Sequence, residues 1–258
     1  MRNNLKRLGI ISIFFALVLV KTGFAEQNLP YLHSIRVENK NTNSNHGVIT
    51  RVSLFTKNPV KLSQQFPTAK VNVHKDRIDI EYSKYLPTPI NYNKGYLHPS
   101  FLIDYDEAIF KKIEKEVSNK IGVQVGAEAL SNYTFSLLVK TMDRLYDAAS
   151  IVAAQQKGDC SEHAIFLTAM FRIFKIPAKT VHGIVLRFSK EKNQWTGYGH
   201  AWVEYYEDGR WQGIDPTFNQ KVDNRYIPNF AIETEDMSSS FYILNQEASY
   251  GIEKVVIY

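Results

Sequence analysis

Apolar residues recur along the chain with two different periods, and these periods predict which segments are helices and which are strands. A spacing of three and four residues is typical of helices buried on one face, and it is found over 104–119, 127–149 and 160–174. Runs rich in β-branched and aromatic residues predict strands at 48–56, 71–73, 78–82, 178–188, 200–207, 210–215, 226–232 and 254–258. The intervening segments 86–100 and 189–199 are predicted to be loops. Helices and strands are therefore both expected.

The first 25 residues have the three parts of a secretory signal peptide. Basic residues precede the apolar stretch 8–20, and the small-x-small sequence Gly23-Phe24-Ala25 follows it. The apolar stretch is shorter than the roughly 20 residues that a membrane-spanning helix needs. We therefore expect cleavage after Ala25 and a mature protein that is periplasmic or secreted. Lys21, close to the cleavage site, keeps an uncleaved membrane anchor as the alternative.

The positive charge of the chain is concentrated in this leader. The leader contributes four of the 31 Lys and Arg residues and none of the 26 Asp and Glu residues, so the rest of the chain is nearly neutral. A nucleic-acid-binding protein usually carries a basic stripe, so the overall charge of +5 is no evidence for a nucleic-acid partner.

Cys160 is the only cysteine of the chain, and it opens a predicted helix. In an oxidising compartment cysteines usually pair, so a lone cysteine is either a small buried residue or a reactive thiol. Gly158 and Asp159 are expected to break regular secondary structure just before the helix. Cys160 is therefore predicted to lie at the positive end of the helix dipole. The free N–H groups there favour a thiolate and can stabilise an oxyanion. Glu162 and His163 are interpreted as a capping acid and a solvated or packing histidine.

His200 and Asp215 are predicted to lie on one face of a β-hairpin. Asp208-Gly209 is a strong two-residue turn signal, and it fixes the register of the two flanking strands. In this register Trp202 faces Asp215. Because side chains alternate along a strand, His200 and Asp215 become diagonal neighbours, close enough for a hydrogen bond. The alternative is that Asp215 only forms a local turn before Pro216.

A thiol, an imidazole and a carboxylate in this order form a candidate catalytic triad of Cys160, His200 and Asp215. The segments that carry the triad resemble the transglutaminase-like superfamily, and in particular its bacterial exported members. These segments are Gly-Asp-Cys-Ser-Glu-His-Ala at 158–164, Ile-Pro-Ala-Lys at 176–179, His-Ala-Trp-Val-Glu at 200–204 and Asp-Pro-Thr at 215–217. The resemblance covers roughly residues 129–218. It implies that Cys160 is the nucleophile, His200 the base and Asp215 the residue that orients the imidazole.

The resemblance also implies a fold and a domain arrangement. The implied fold is α+β, with a papain-like or transglutaminase-like core in which the nucleophile helix packs on an antiparallel sheet. We expect a signal peptide at 1–25, a small β-rich N-terminal region at 26–100 and a transglutaminase-like catalytic domain at 101–258. The N-terminal region is either a substrate-recognition module or an extension of the main sheet.

Two features around the triad leave alternatives open. Bacterial members often carry an aromatic residue, commonly Trp, before the cysteine helix, whereas 140–156 contains only Tyr146. The second oxyanion donor is therefore unassigned, and Gln155 and Gln156 are candidates by proximity alone. The aromatic residues near His200 either wall a substrate cleft or simply pack against the protein: Trp195, Tyr198 and Trp202.

The residue types of the triad define the expected chemistry. Attack of a thiolate on an amide carbonyl leaves a thioester on the enzyme. Transfer of the acyl group to water makes a peptidase or amidase, which the resemblance favours, and transfer to an amine makes a protein-glutamine transglutaminase. A non-catalytic envelope-binding module is the alternative of another class. The expected partner is a peptide or protein substrate, with cell-envelope proteins included. We expect no nucleic acid and no stable membrane span after signal cleavage.

No cofactor and no metal ion are expected. The histidines outside the proposed triad show no ligand spacing with a second His or Cys and are interpreted as surface or packing residues: His33, His46, His74, His98, His163 and His182.

Overall fold

The computed structural model describes residues 34–40, 48–67, 69–82, 94–122, 125–142, 146–232 and 251–258. The predicted signal peptide, His33, His46 and most of the predicted loop at 86–100 lie outside these residues. Within the described ranges, no helix combines the length and the hydropathy needed to cross a bilayer.

Helices and strands alternate irregularly along the described ranges. The helices are α1 (Pro59–Ser63), α2 (Ala108–Ile121), α3 (Ala127–Leu137), α4 (Ala149–Gln155) and α5 (Cys160–Ile173), with a 3-10 helix at Lys94–Leu97. The strands are β1 (Ser34–Asn39), β2 (Arg51–Thr56), β3 (Lys70–Val73), β4 (Arg77–Glu81), β5 (Val139–Lys140), β6 (Lys157–Gly158), β7 (Ala178–Ser189), β8 (Gln194–Glu207), β9 (Arg210–Asp215), β10 (Gln220–Lys221), β11 (Tyr226–Ile232) and β12 (Ile252–Ile257). The α+β fold class is confirmed.

Ten of these strands join in one sheet, and the other two, β5 and β6, form a small parallel pair. The order in the large sheet is β10-β9-β8-β1-β12-β2-β4-β3, and β8 also pairs with β7, which pairs with β11. Neighbours are antiparallel except β1 and β12, which run parallel. Strands β1 to β4 of the predicted N-terminal region therefore continue the sheet that carries His200 and Asp215.

Strand β8 changes neighbours along one of its edges. One edge pairs with β7 over residues 194–205. The other edge pairs with β1 over residues 196–198 and with β9 over residues 203–207. His200 lies between these two stretches, at the point where the described strands β1 and β9 diverge from β8.

Helix α5 begins at Cys160 because the residues around it form a capping box. The Asp159 carboxylate accepts a hydrogen bond from the Ser161 N–H at 2.7 Å, and the Glu162 carboxylate accepts one from the Asp159 N–H at 2.8 Å. A Cβ atom at Gly158 would lie 2.2 Å from the Glu162 Cβ, so glycine leaves the room that the returning glutamate needs. The interpretation of Glu162 as a capping acid is confirmed.

Helix α5 packs against one face of β7 and β8. The Phe171 ring lies 5.1 Å from the Tyr205 ring, and the Thr168 and Thr180 hydroxyls are 2.9 Å apart. Every residue of α5 is buried, and a fully buried large apolar side chain contributes about 1.5–3 kcal/mol. This packing fixes the position of Cys160. Because side chains alternate along β8, His200 lies on the face opposite Tyr205.

The hairpin of β8 and β9 has the predicted register. Asp208 and Gly209 form its turn with φ values of 52° and 75°, and positive φ at both central residues is typical of a type I′ turn. Val203 lies opposite Ile214, as the turn prediction requires. The shared face of His200 and Asp215 follows from this register.

The predicted loop at 189–199 is wrong over most of its length. Strand β8 begins at Gln194 and pairs with β7, with Trp195 opposite Phe188. The connecting turn is only residues 190–193, where Asn193 has a φ of 49°. The polar residues of this turn led to the prediction of a longer loop, whereas the buried Trp195 packs within strand β8.

The predicted helix at 127–149 is also too long. Helix α3 ends at Leu137, and the chain then forms β5, in which Val139 pairs with Lys157 and Lys140 with Gly158. A separate helix, α4, begins at Ala149. The pairing of β5 with β6, just before Cys160, overrides the local helical pattern. The periodicity of a single segment cannot predict a contact with another segment.

Candidate active site

His200 and Asp215 form a buried pair on the site face of the hairpin. The His200 Nε2 atom lies 2.7 Å from the Asp215 Oδ2 atom, and the two side chains are 4% and 0% exposed. Burial lowers the pKa of His200, but the charge of Asp215 and hydrogen bonds with Asp215 and Cys160 raise it to about 9. His200 is therefore a cation at neutral pH.

The Asp215 carboxylate uses both of its oxygens. Oδ1 accepts hydrogen bonds from the N–H groups of Thr217 and Phe218 at 2.8 and 3.2 Å, and Oδ2 faces His200. Burial raises the pKa of Asp215, but the His200 charge and hydrogen bonds from the imidazole, Tyr226 and Thr217 bring it below its ordinary value. The turn contacts and the histidine contact thus coexist in one carboxylate, one on each oxygen.

Tyr226 belongs to this cluster, and the sequence did not indicate it. Its hydroxyl donates a hydrogen bond to Asp215 Oδ2 at 2.7 Å and accepts one from Gln220 Nε2 at 2.5 Å. Burial and the Asp215 charge raise the pKa of Tyr226, so the phenol keeps the proton that it donates. Strand β11 was predicted, but its position beside β7, with Tyr226 opposite Val185, is a property of the sheet topology.

Cys160, the first residue of α5, lies close to the His200–Asp215 pair. Its side chain is buried, and a hydrogen bond between Cys160 and His200 is one of the causes that raise the pKa of His200. Because Asp215 occupies Nε2 of the imidazole, Nδ1 is the nitrogen left for the thiol. Among the described residues, no acceptor is found for the Cys160 N–H. The structure therefore brings the three predicted residues together and leaves a donor beside the sulfur.

A phenylalanine stacks on the imidazole and also contacts two cations. The Phe218 ring stacks on His200, with centroids 4.9 Å apart and planes inclined by 22°. The Lys140 Nζ and Arg187 Cζ atoms lie 4.7 and 4.3 Å from the centre of the same ring. Partial burial of the ammonium and the charge of Arg187 lower the pKa of Lys140, while the charges of Cys160 and Asp215 oppose that change.

The tryptophans near His200 pack inside the protein. Trp202 is 1% exposed, and its ring lies edge-on to Tyr226 at 5.3 Å. Trp195 is buried against Phe188, with ring centroids 5.5 Å apart. The packing interpretation is therefore correct for both residues, and neither walls an open cleft. Tyr198 is only half-buried.

The remaining candidates near Cys160 have other roles. His163 is buried, and its Nδ1–H donates to the Asp159 carbonyl oxygen at 2.7 Å, so it is a packing histidine. Burial lowers the pKa of His163, and the Lys140 charge contributes to this. Gln155 and Gln156 are both exposed, and within the described ranges no hydrogen bond assigns either as an oxyanion donor.

Comparison with protein families identifies the segment that contains these residues. Residues 108–216, from α2 to the residue after β9, match the family model of the transglutaminase-like superfamily. The chain carries a transglutaminase-like domain. The family resemblance of the sequence is thereby confirmed, and the matched segment includes Cys160, His200 and Asp215. A search of curated proteins finds no match.

Two solved structures resemble this chain at low sequence identity. A proposed cysteine protease from Cytophaga hutchinsonii is 12% identical over 82% of this chain and 81% of its own, with a TM-score of 0.43. The periplasmic domain of TgpA from Pseudomonas aeruginosa, bound to ethylmercury, is 15% identical over 59% of this chain and 66% of its own, with a TM-score of 0.43. The family assignment rests on the matched segment and not on these distant likenesses.

Proposed function

We propose that this protein is a cysteine-dependent acyl-transfer enzyme that hydrolyses amide bonds in peptides or proteins. The observation that carries the proposal is that the buried His200 imidazole is hydrogen-bonded to the Asp215 carboxylate and is also close enough to the Cys160 thiol for that thiol to help raise its pKa. An imidazolium whose pKa is raised to about 9 is positive at neutral pH, and a positive charge beside a sulfur atom favours the thiolate.

The first chemical step is acylation of Cys160. The thiolate attacks the amide carbonyl carbon, and a carbon–sulfur bond forms while the carbonyl oxygen becomes an oxyanion. The Cys160 N–H, at the positive end of α5, stabilises that oxyanion. The His200 imidazolium then donates its proton to the leaving nitrogen, the carbon–nitrogen bond breaks, and a thioester remains.

The second step is hydrolysis of the thioester. His200, now neutral, takes a proton from water as the water oxygen attacks the thioester carbonyl. The carbon–sulfur bond breaks, the product leaves as a carboxylic acid, and the thiolate–imidazolium pair is restored. Asp215 stabilises the positive imidazole and holds its Nδ1 toward the sulfur in both steps.

The proposed setting is the periplasm or the cell exterior. The leader at 1–25 supports export, and peptides or envelope proteins are the amide substrates available there. We propose that residues 101–258 supply the catalytic machinery, to which strands β1 to β4 are joined through the shared sheet.

Trapping of the acyl-enzyme tests this function. The purified protein is incubated with a library of peptides, quenched in acid and measured by intact-mass spectrometry, beside Cys160→Ser. The expected result is an acyl adduct on wild-type Cys160 and peptide products that carry one added water. Because the chain has one cysteine, a thioester adduct can only be at Cys160.

A second arm adds a primary amine such as cadaverine. Amide products that contain cadaverine, in place of hydrolysed products, would identify a transglutaminase. Absence of any adduct, with equal peptide turnover in wild type and Cys160→Ser, would overturn the thiol mechanism and leave a binding module.

A further inference from the structure

We propose that Lys140 and Arg187, which lie over the Phe218 ring beside the catalytic residues, form a subsite for a carboxylate of the substrate. The inference rests on the proposed acyl transfer at Cys160, and it adds a substrate class: peptides with a carboxylate close to the scissile amide. Phe218 is the shared contact, because its ring centre lies 4.9 Å from that of His200, 4.7 Å from Lys140 Nζ and 4.3 Å from Arg187 Cζ.

The two cations reach this position from separate parts of the fold. Lys140 belongs to β5 and pairs with Gly158, two residues before Cys160. Arg187 belongs to β7, on the same face as Gly183, which lies opposite His200 in β8. Lys140 is thus paired with the segment that precedes Cys160, and Arg187 lies in the strand that pairs with the strand of His200.

Neither cation forms an ion pair with an acidic side chain among the described residues. No ion pair or hydrogen bond of the Lys140 or Arg187 side chain is found there, and both residues are exposed. By contrast, Lys179 lies 4.9 Å from the Trp211 ring centre and also 3.2 Å from the Glu204 carboxylate. The charges of Cys160, Asp215 and Asp159 act on Lys140 without forming an ion pair with it, and Arg187 repels it, so a bound anion would relieve that repulsion.

The chemistry of the two side chains selects a carboxylate. A guanidinium binds a carboxylate through two parallel hydrogen bonds, and an ammonium adds a point charge. Among peptides the carboxylate has two sources, the free C-terminus and the side chain of Asp or Glu. Both present the same planar anion, so the same pair of cations would recognise either.

Cys160 itself provides a reporter that needs no known substrate. Iodoacetate and iodoacetamide form the same carbon–sulfur bond and release iodide, but only iodoacetate carries a carboxylate. The ratio of their alkylation rates therefore measures how strongly the surroundings of Cys160 attract that group. The ratio is measured at pH 7 for wild type, Lys140→Gln, Arg187→Gln and the double variant.

The chain offers a matched control at a distance from the site. Arg51 and Lys40 lie over the Tyr258 ring, at 4.2 and 5.4 Å from its centre, in a similar two-cation arrangement. Arg51→Gln removes one surface cation of the same kind without touching the site. Melting temperatures of all variants show whether each is folded.

We expect the iodoacetate to iodoacetamide ratio to fall about tenfold in the double variant and by a smaller factor in each single variant. Arg51→Gln should keep the wild-type ratio. In 1 M salt the difference between wild type and the double variant should largely disappear, because the Debye length there is about 3 Å. An unchanged ratio in a folded double variant, or an equal fall in Arg51→Gln, overturns the subsite.

Protection of Cys160 from iodoacetamide then separates the two sources of the carboxylate. Four short peptides are compared: free or amidated at the C-terminus, each with Glu or Gln at a central position. Protection by the free-terminus peptides that is lost in the double variant identifies a C-terminal carboxylate, and protection by the Glu peptides identifies a side chain. Equal protection by all four overturns the proposal. The acyl-enzyme experiment with neutral peptides tests the proposed function separately.

Discussion

Among the described residues, two histidine–aspartate pairs have almost the same local geometry. His200 Nε2 lies 2.7 Å from Asp215 Oδ2, and His74 Nε2 lies 2.8 Å from Asp79 Oδ2. Each carboxylate also accepts a hydrogen bond from a hydroxyl, Tyr226 in the first pair and Ser53 in the second, both at 2.7 Å. The difference between the pairs therefore lies in their surroundings.

Burial and charge balance separate the two pairs. The side chains of His200 and Asp215 are 4% and 0% exposed, whereas those of His74 and Asp79 are 39% and 28% exposed. Asp79 also accepts a hydrogen bond from Arg77 at 3.1 Å, so its charge is already compensated. Water screens an exposed pair and leaves it with little net energy, while a buried pair interacts strongly. Geometry alone thus does not make a histidine–aspartate pair a candidate for catalysis.

Asp215→Asn should have the largest effect in this comparison. The change removes the negative charge that supports the imidazolium, and the acylation rate should fall by about 10²–10⁴. Single-turnover acylation and the melting temperature are measured together. The double variant with His200→Ala should be little slower than either single variant, because the two residues act as a unit. A variant that melts early but acylates at the wild-type rate would show that Asp215 serves only the turn.

The stability of the buried pair should depend on pH in a defined window. The His200 pKa is raised from 6.5 to about 9 in the folded protein, so its stabilisation is complete below pH 6.5 and is lost as pH rises through 9. The difference in unfolding free energy between wild type and His200→Gln should therefore shrink by up to about 3 kcal/mol across that window.

Denaturant titrations at several pH values measure this difference. His74→Gln is the matched control, because an exposed pair of this kind contributes less than about 1 kcal/mol. A wild-type to His200→Gln difference that stays constant from pH 6 to pH 10 would contradict a charged His200 in the folded protein.

Each aspartate of the two pairs accepts a hydrogen bond from a hydroxyl group, and Tyr226→Phe removes the one at Asp215. The change removes one buried hydrogen bond to Asp215 and should lower the unfolding free energy by about 1 kcal/mol. Since this hydrogen bond helps to lower the pKa of Asp215, its loss should also shift the pH profile of acylation. The matched change Ser53→Ala, at Asp79, should leave that profile unchanged. An identical profile in Tyr226→Phe would restrict Tyr226 to a packing role.

Asp79→Asn should have the smallest effect. The exposed carboxylate contacts His74, Arg77 and Ser53, and its loss should lower the unfolding free energy by about 1 kcal/mol or less. Acylation should proceed at the wild-type rate. A fall in acylation comparable to that of Asp215→Asn would mean that the two pairs are coupled through the sheet.

The sequence was sufficient to predict those site residues whose positions are determined by neighbouring residues in the chain. The turn at Asp208 and Gly209 fixes a register, and that register puts His200 and Asp215 on one face whatever surrounds the hairpin. The start of α5 was predictable for the same reason, since Asp159 and Glu162 cap it within four residues. Both predictions depend only on residues close together in the chain.

Contacts between distant segments could not be predicted in this way. Tyr226 reaches Asp215 because β11 pairs with β7, and β5 replaces a predicted helical turn because it pairs with the segment before Cys160. Phe218 and Arg187 meet through the same assembly of strands. No periodic pattern within these segments carries that information.

The position of β12 sets a limit on the order in which the chain can fold. This strand, Ile252–Ile257, lies between β1 and β2, and it is the described link between the strands near the start of the chain. Strands β3 to β11 lie between β2 and β12 in the sequence, so the pairing of β12 with β1 and β2 closes long loops and is entropically costly to form. The sheet that carries His200 therefore stays divided until this long-range pairing has formed, and a substitution that prevents β12 from pairing would separate β1 from β2.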